Sequence, residues 1–153
     1  MKSQKSWFKE YAKSHQNKTN QIIHYFCVPI IFFSIVGLLL SIPSDTLQNF
    51  SGIDNPILAN WATIALVVAL IFYIKLSFMT FIKMLMFSIL CLIGNFYLSE
   101  YAPLFLSSLL LFVFAWIGQF YGHKVEGKNP SFFKDLQFLL IGPAWVFEKL
   151  MNS

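Results

Sequence analysis

The sequence predicts an all-α integral membrane bundle of four transmembrane helices, with interfacial helices near the N-terminal and C-terminal ends. Three observations support this fold class. Of the 153 residues, 57% are hydrophobic and only 12% are charged, whereas soluble domains carry about a quarter charged residues. The apolar residues gather in four long stretches. Between these stretches, segments that contain lysine alternate strictly with segments that lack it.

The spans follow one another along a single membrane domain that covers residues 1–153. We place them at residues 22–42, 57–74, 76–98 and 103–121. A bilayer core about 30 Å thick takes about 20 helical residues. The third span reaches that length when Lys83 extends its ammonium group toward the interface. The turn-rich stretch 43–56 predicts a surface loop.

The segments outside the spans are expected to lie at the membrane surface. Residues 1–21 form a polar cytoplasmic arm, in which three aromatic residues predict a short interfacial helix: Trp7, Phe8 and Tyr11. Residues 122–153 carry a second polar motif and an apolar tail. Because Gly142 and Pro143 interrupt this tail, we expect one or two interfacial helices there rather than another span.

The distribution of lysine predicts the orientation. The arm carries five lysines and the stretch 43–56 carries none; the next connection carries Lys75 and Lys83, the following one only Glu100, and the tail four lysines. Lysine-rich connections face the cytoplasm, so both termini are expected to be cytoplasmic. A small chain with lysine and no arginine favours a bacterial inner membrane, with the endoplasmic reticulum as the alternative.

The composition also argues against several classes of function. The net charge of +4 comes from lysine alone, whereas recognition of bases and phosphates favours arginine, so we expect no nucleic-acid partner. The sequence contains no phosphate-binding loop and no nucleophile elbow. Cys27 and Cys91 lack metal-type spacing. We interpret them as small buried apolar residues, with a disulfide or a ligand role as the alternative.

All three histidines lie in two polar segments near the chain ends: His15, His24 and His123. Imidazole is a common metal ligand and general base. Because an even number of spans returns the chain to the side it left, the three rings can meet at one depth. His15 and His24 are nine residues apart, which would put them on opposite faces of one straight helix. We therefore expect a break between them at residues 17–20, with Thr19 or Asn20 as the N-cap of the first span.

The second polar segment predicts a helix face directed at the same site. Trp116, Gln119 and His123 fall at positions i, i+3 and i+7. Glu126, three residues beyond His123, is a candidate ligand or base, and equally a candidate ion-pair partner of a lysine. Gly122 permits close approach of another backbone. The alternative for the histidines is that each is only a solvated cap at the membrane surface.

Three motifs carry a family resemblance. They read W-F-x-x-Y-x-x-x-H-x-N-x-x-N-x-x-I-H-x-x-x-V-P at residues 7–29, A-W-I-x-Q-F-x-G-H-x-x-E-G-x-x-P at residues 115–130 and G-P-x-x-V-x-E at residues 142–148. This order resembles the fungal 2-hydroxy fatty acid dioxygenases of phytosphingosine breakdown and their small bacterial relatives. One departure is Ser131, where alanine is more usual. The matches cover about a third of the chain and flank all of it.

The resemblance implies an Fe(II)-dependent enzyme that uses O2 to shorten a long-chain 2-hydroxy fatty acid by one carbon and releases CO2. It implies His15, His24 and His123 as the metal ligands. Glu126 and Gln119 are then the candidate catalytic groups. The remaining polar candidates would contact substrate: Asn17, Asn20, Tyr11, Lys124 and Lys128. Membrane lipid is the other expected partner, and no protein partner follows from the sequence.

Two alternatives remain open at this stage. The same histidines could serve a non-catalytic membrane protein that binds a metal or a lipid, and the metal could be zinc rather than iron. Asn17, Asn20 and Gln119 also fit hydrogen-bonding support or helix caps better than direct chemistry.

Overall fold

The computed structural model describes residues 2–127 and 138–151, and every regular element among them is an α-helix. Lys128 and the first part of the predicted tail lie outside the described residues. The helices, in chain order, are α1 (Gln4–Ala12), α2 (Lys18–Leu40), α3 (Asp45–Ser51), α4 (Trp61–Leu76), α5 (Phe78–Tyr101), α6 (Leu104–Glu126) and α7 (Ile141–Met151). The prediction of an all-α fold is confirmed for this part of the chain.

Three helices, α2, α5 and α6, are long and apolar enough to cross a membrane, with 23, 24 and 23 residues. The remaining predicted span corresponds to α4, which has 16 residues and is about 24 Å long at 1.5 Å per residue. Its predicted start at residue 57 is wrong. Residues 57–60 form a turn, and the Asn60 side chain caps the helix by accepting a hydrogen bond from Thr63 N. The structure therefore supports a membrane protein with three long candidate spans and one shorter apolar helix.

The four longest helices alternate in direction, and α1 and α7 cover one end of their bundle. The start of α2 and the end of α6 meet there through hydrogen bonds to Glu126. The end of α4 lies at the same end, because the Tyr73 hydroxyl donates to Leu140 O at 2.7 Å. The start of α5 lies at this end too, because the Thr80 hydroxyl donates to Gln4 Oε1 of α1 at 2.8 Å. We call this end of the bundle the histidine end.

Glycines bring α2 and α6 into close contact, and this pair is the most extensive helix pairing in the described structure. Gly118 lies against Cys27 Sγ, and Gly122 lies against Asn20 Oδ1. A Cβ atom at either glycine would overlap its neighbour. Without a hydrophobic driving force between helices in lipid, such small residues allow the close backbone packing that holds membrane helices together.

A polar cluster that the sequence did not predict joins α2, α5 and α6 inside the apolar bundle. Asn95 of α5 is fully buried, and its Nδ2 donates to Cys91 O at 2.8 Å and to Phe33 O at 3.2 Å. Gly37 of α2 leaves the space that Asn95 and Ser108 occupy. Side-chain hydrogen bonds of this kind add to helix association in membranes.

One prediction about the connecting segments is wrong. The stretch 43–56 is not only a loop, because it contains α3, which Gly52 ends in a left-handed conformation with φ of 72°. In the described part of the tail, α7 begins beside Gly142 and Pro143, which lie in its first turn. A helix tolerates proline there because that position needs no N–H donor.

The tail helix is also more buried than an interfacial helix would be. Residues 141–146 of α7 are all buried, and they pack against α1, α2 and α5. The second half of α7 is held by an ion pair in which Lys83 Nζ lies 3.2 Å from Glu148 Oε2. The ammonium group of Lys83, expected to extend toward the interface, thus pairs with a carboxylate of α7. Both cysteines are free, so the disulfide alternative is excluded in this structure.

Candidate metal centre

The break between α1 and α2 places His15 beside His24. Helix α1 ends at Ala12 and α2 begins at Lys18, so His15 lies in the link. A break is confirmed, but it lies at residues 13–17 and not at residues 17–20. The N-cap is Asn17 rather than Thr19 or Asn20. Asn17 has extended backbone and its side chain accepts from Thr19 N and Asn20 N, which is the usual N-cap arrangement. Asn20 therefore becomes the third residue of α2, and its side chain turns inward.

The three histidines meet at the histidine end of the bundle. Their candidate ligand nitrogens all lie within 4.8 Å of one another. The ring centroids are 4.3 Å apart for His15 and His24, 5.5 Å for His15 and His123, and 5.2 Å for His24 and His123. Their exposed fractions are 2%, 1% and 5% in chain order. In residues 2–127 and 138–151, this is the one group of three or more metal-ligating side chains close enough to hold an ion.

Main-chain carbonyls orient two of the rings. His15 Nδ1 lies 2.7 Å from Tyr11 O, and His24 Nδ1 lies 2.9 Å from Asn20 O. A carbonyl only accepts, so each Nδ1 carries the hydrogen and the lone pair of the neutral ring is on Nε2. Metal-bound histidines characteristically donate their second N–H to a carbonyl or carboxylate. The donor set therefore fits a divalent transition metal.

Glu126 joins the end of α6 to the link between α1 and α2. Its carboxylate accepts from Gln16 N at 3.0 Å, from Asn17 N at 2.6 Å and from Asn20 Nδ2 at 3.2 Å. Donors of this kind favour the ionised carboxylate. Asn20 also donates to Ser14 O at 3.2 Å and is fully buried. One acidic residue thus fixes the segment that carries His15 against the helix that carries His123.

Aromatic rings enclose the cluster on the side of α1 and α7. Tyr11 stacks on His15 with a centroid distance of 4.1 Å and an interplanar angle of 6°. The ring centroid of Trp145 in α7 lies 5.6 Å from that of His15 and 5.0 Å from that of Tyr11. Trp145 was not among the predicted site residues. Its position inside the third motif, between Gly142-Pro143 and Glu148, is the sequence signal that points to it.

Two spaces lie near the aromatic side chains that cover the cluster. A small, partly open cavity of about 20 Å³ is lined by Tyr11 and Gln119 together with apolar residues of α2, α6 and α7. An open cleft of about 620 Å³ lies beyond Trp145, where Lys9 and Lys149 line it together with Tyr25.

The structure distributes the other predicted site residues unevenly. Tyr11, Asn20 and Gln119 are buried near the histidines. Asn17 is exposed and serves as a helix cap. Lys124 is exposed on α6, and Lys128 lies outside the described residues.

One known protein family matches the chain. The family model described as "2-hydroxy-palmitic acid dioxygenase Mpo1-like" matches residues 1–153. No curated protein and no solved structure matches the chain. The family match spans all three motifs and all three histidines. The chain therefore belongs to the Mpo1-like family.

Proposed function

We propose that this protein is an Fe(II)-dependent dioxygenase that shortens long-chain 2-hydroxy fatty acids by one carbon at the cytoplasmic face of a membrane. The observation that carries the proposal is the convergence of three buried imidazoles within 4.8 Å, in a chain whose family is described by this substrate and reaction class. Three nitrogen ligands on one side of a metal leave positions for substrate and O2.

The reaction balances without a reductant. A 2-hydroxy acid R–CH(OH)–COOH and one O2 give R–COOH, CO2 and H2O. The carbon–carbon bond to the carboxyl group breaks, the substrate loses four electrons and O2 takes up four. When bound, iron would supply the activation of O2. No 2-oxoglutarate is required by this balance.

The protein's own side chains orient the histidine rings and exclude water from His15. The bonds from Nδ1 of His15 and His24 to carbonyls hold the rings in one orientation before any ligand arrives. Tyr11 and Trp145 cover His15 and keep bulk water from it. We assign Glu126 a positioning role, because both of its oxygens accept hydrogen bonds from the link and from Asn20.

We further propose four membrane crossings, by α2, α4, α5 and α6, with both termini in the cytoplasm of a bacterium. The alternating directions of these helices and the lysine distribution support this topology. The acyl chain then stays in lipid or between the helices while the acid group reaches the histidines. Burial is worth about 0.8 kcal/mol per CH2 on transfer from water. A substrate already in lipid gains little of this, so recognition of the head group has to provide the selectivity.

The direct test is aerobic incubation of the purified, iron-loaded protein with 2-hydroxypalmitate. We expect pentadecanoic acid and CO2, with one O2 consumed for each product molecule. Metal analysis of anaerobically purified protein should find iron rather than zinc. A folded, iron-loaded protein that forms no shortened acid would favour the alternative, a non-catalytic metal- or lipid-binding membrane protein.

Substitution of the ligands tests the site itself. His15→Ala, His24→Ala and His123→Ala should each abolish product formation and lower bound metal, because each removes one of three donors. The exposed Lys75→Ala is the control and should keep both. If two of the three histidine variants retained normal turnover, the metal-site assignment would be wrong.

A further inference from the structure

The small cavity beside the histidines lies inside the bundle, at matching depth on two antiparallel helices. On α2, Val28 follows His24 by four residues. On α6, Gln119 precedes His123 by four residues. Both are one helical turn deeper than a histidine. Tyr11, which stacks on His15, also lines the cavity, so the space lies next to a residue that contacts a candidate ligand.

Gln119 lines this cavity with a buried amide oxygen that can accept a hydrogen bond. Its exposed fraction is 5%, and no described residue donates a hydrogen bond to its Oε1. Most of the other lining residues are apolar or aromatic, among them Val28, Ile31 and Phe32. Buried polar groups nearly always have a partner, and an exception calls for an explanation.

The size of the cavity limits what that partner can be. A volume of about 20 Å³ admits roughly one water molecule or one hydroxyl group. It does not admit an acyl chain. The partner is therefore a small group that bonds a carboxamide in otherwise apolar surroundings.

We propose that Gln119 is the residue that selects 2-hydroxy fatty acids over unsubstituted ones, by hydrogen bonding the 2-hydroxyl group of the substrate. This inference rests on the proposed function. A hydroxyl both donates and accepts, so it matches a carboxamide, and one whose oxygen faces the histidines can still donate its hydrogen to Gln119 Oε1. An unsubstituted fatty acid leaves the buried amide unpaired. A site built around such a bond rejects the analogue that lacks it.

The experiment compares Gln119→Leu with the wild-type protein. Dissociation constants for 2-hydroxypalmitate and palmitate are measured anaerobically on metal-loaded protein in detergent, so no turnover is needed. We expect the wild-type protein to prefer the 2-hydroxy acid by about tenfold or more. In Gln119→Leu that preference should largely disappear, because only binding of the 2-hydroxy acid is weakened. Gln119→Glu, which keeps an acceptor, should retain part of it.

Ile31→Val is the matched control, since it changes the apolar lining and should shift both dissociation constants together. Equal metal content in all variants shows that the site has remained folded. If Gln119→Leu weakened both acids equally, Gln119 would only shape the cavity or hold a water molecule, and the inference would be overturned. A wild-type protein that binds both acids equally would also overturn it. Failure of the proposed function is a separate result, because it appears as absence of shortened acid from the wild-type protein.

Discussion

At the residue scale, the site depends on side chains that are fixed before any ligand binds. His15 and His24 each bond a carbonyl four residues earlier in the chain, so rotation of either ring breaks a buried hydrogen bond. Tyr11 contributes twice, through its carbonyl to His15 Nδ1 and through its ring stacked on the same imidazole. A metal that binds here loses little free energy to the ordering of its ligands.

Gly122 is the smallest residue with a large expected effect on the site. A Cβ at this position would meet Asn20 Oδ1 and His24 Cε1. We expect Gly122→Ala to destabilise the protein by about 1–3 kcal/mol through overpacking, and also to lower metal affinity by displacing Asn20, whose carbonyl orients His24. Thermal unfolding and metal content measure the two effects.

Gly118→Ala is the matched control for this substitution. Its Cβ would meet Cys27 Sγ, one turn further from the histidines. It should lower stability to a similar extent and leave metal binding intact. Equal metal content in the two variants would show that close packing at Gly122 does not position the ligands.

At the scale of elements, the charges at helix ends determine how the end of α6 meets the start of α2. A carboxylate in the last turn of its own helix is unfavourable, because the C-terminal end carries partial negative charge. Glu126 is in that position in α6, yet its carboxylate reaches Gln16 N and Asn17 N at the start of α2. Unpaired N–H groups and partial positive charge at a helix start favour an anion there. Glu126 is thus stabilised by the second helix and not by the first.

Glu126→Gln distinguishes a positioning role from a catalytic one. A glutamine offers one acceptor oxygen where Glu126 uses two, so we expect the link to loosen and metal affinity to fall by about 10–100-fold, as for other residues that support ligands. Metal titration measures this change, and the exposed Glu100→Gln is the control. Unchanged metal affinity with lost turnover would instead identify Glu126 as the base expected from the sequence.

At the scale of the whole molecule, alternating helices return the chain to the histidine end and the outer surface remains apolar. Large hydrophobic side chains are exposed along α4, α5 and α6, among them Val68, Leu90 and Phe114. Such a continuous apolar surface is typical of contact with lipid. Deep in the bundle, the Asn95 amide donates to a carbonyl of its own helix and to one of α2.

Cysteine labelling in cells tests the four-span topology. In a Cys27→Ser and Cys91→Ser background, a single Asp54→Cys should react with a membrane-impermeant maleimide on intact cells, because the stretch 43–56 is expected outside the cytoplasm. Lys2→Cys and Lys149→Cys should react only after permeabilisation. Labelling of Lys2→Cys and Asp54→Cys from the same side would rule out the proposed crossing of α2.

The composition and lysine pattern were sufficient to predict a helical membrane protein and the approximate position of each long helix. The nine-residue spacing of His15 and His24 predicted the break before α2. Local patterns did not predict how deeply the tail helix is buried. Gly142 and Pro143 open α7, but the burial of residues 141–146 depends on contacts with the bundle.

By itself, then, the sequence determined the class of molecule, the residues able to ligate a metal and the expectation that they lie at one end. Periodicity, charge and composition act over one or two helical turns, and those properties can be read locally. Only the tertiary structure decided which histidine nitrogens face one another and that Trp145 covers His15. It also decided that the Glu126 carboxylate accepts a hydrogen bond from Gln16 N, 110 residues away in the chain. These contacts join separate helices, so their geometry follows from how whole helices pack and not from any local pattern.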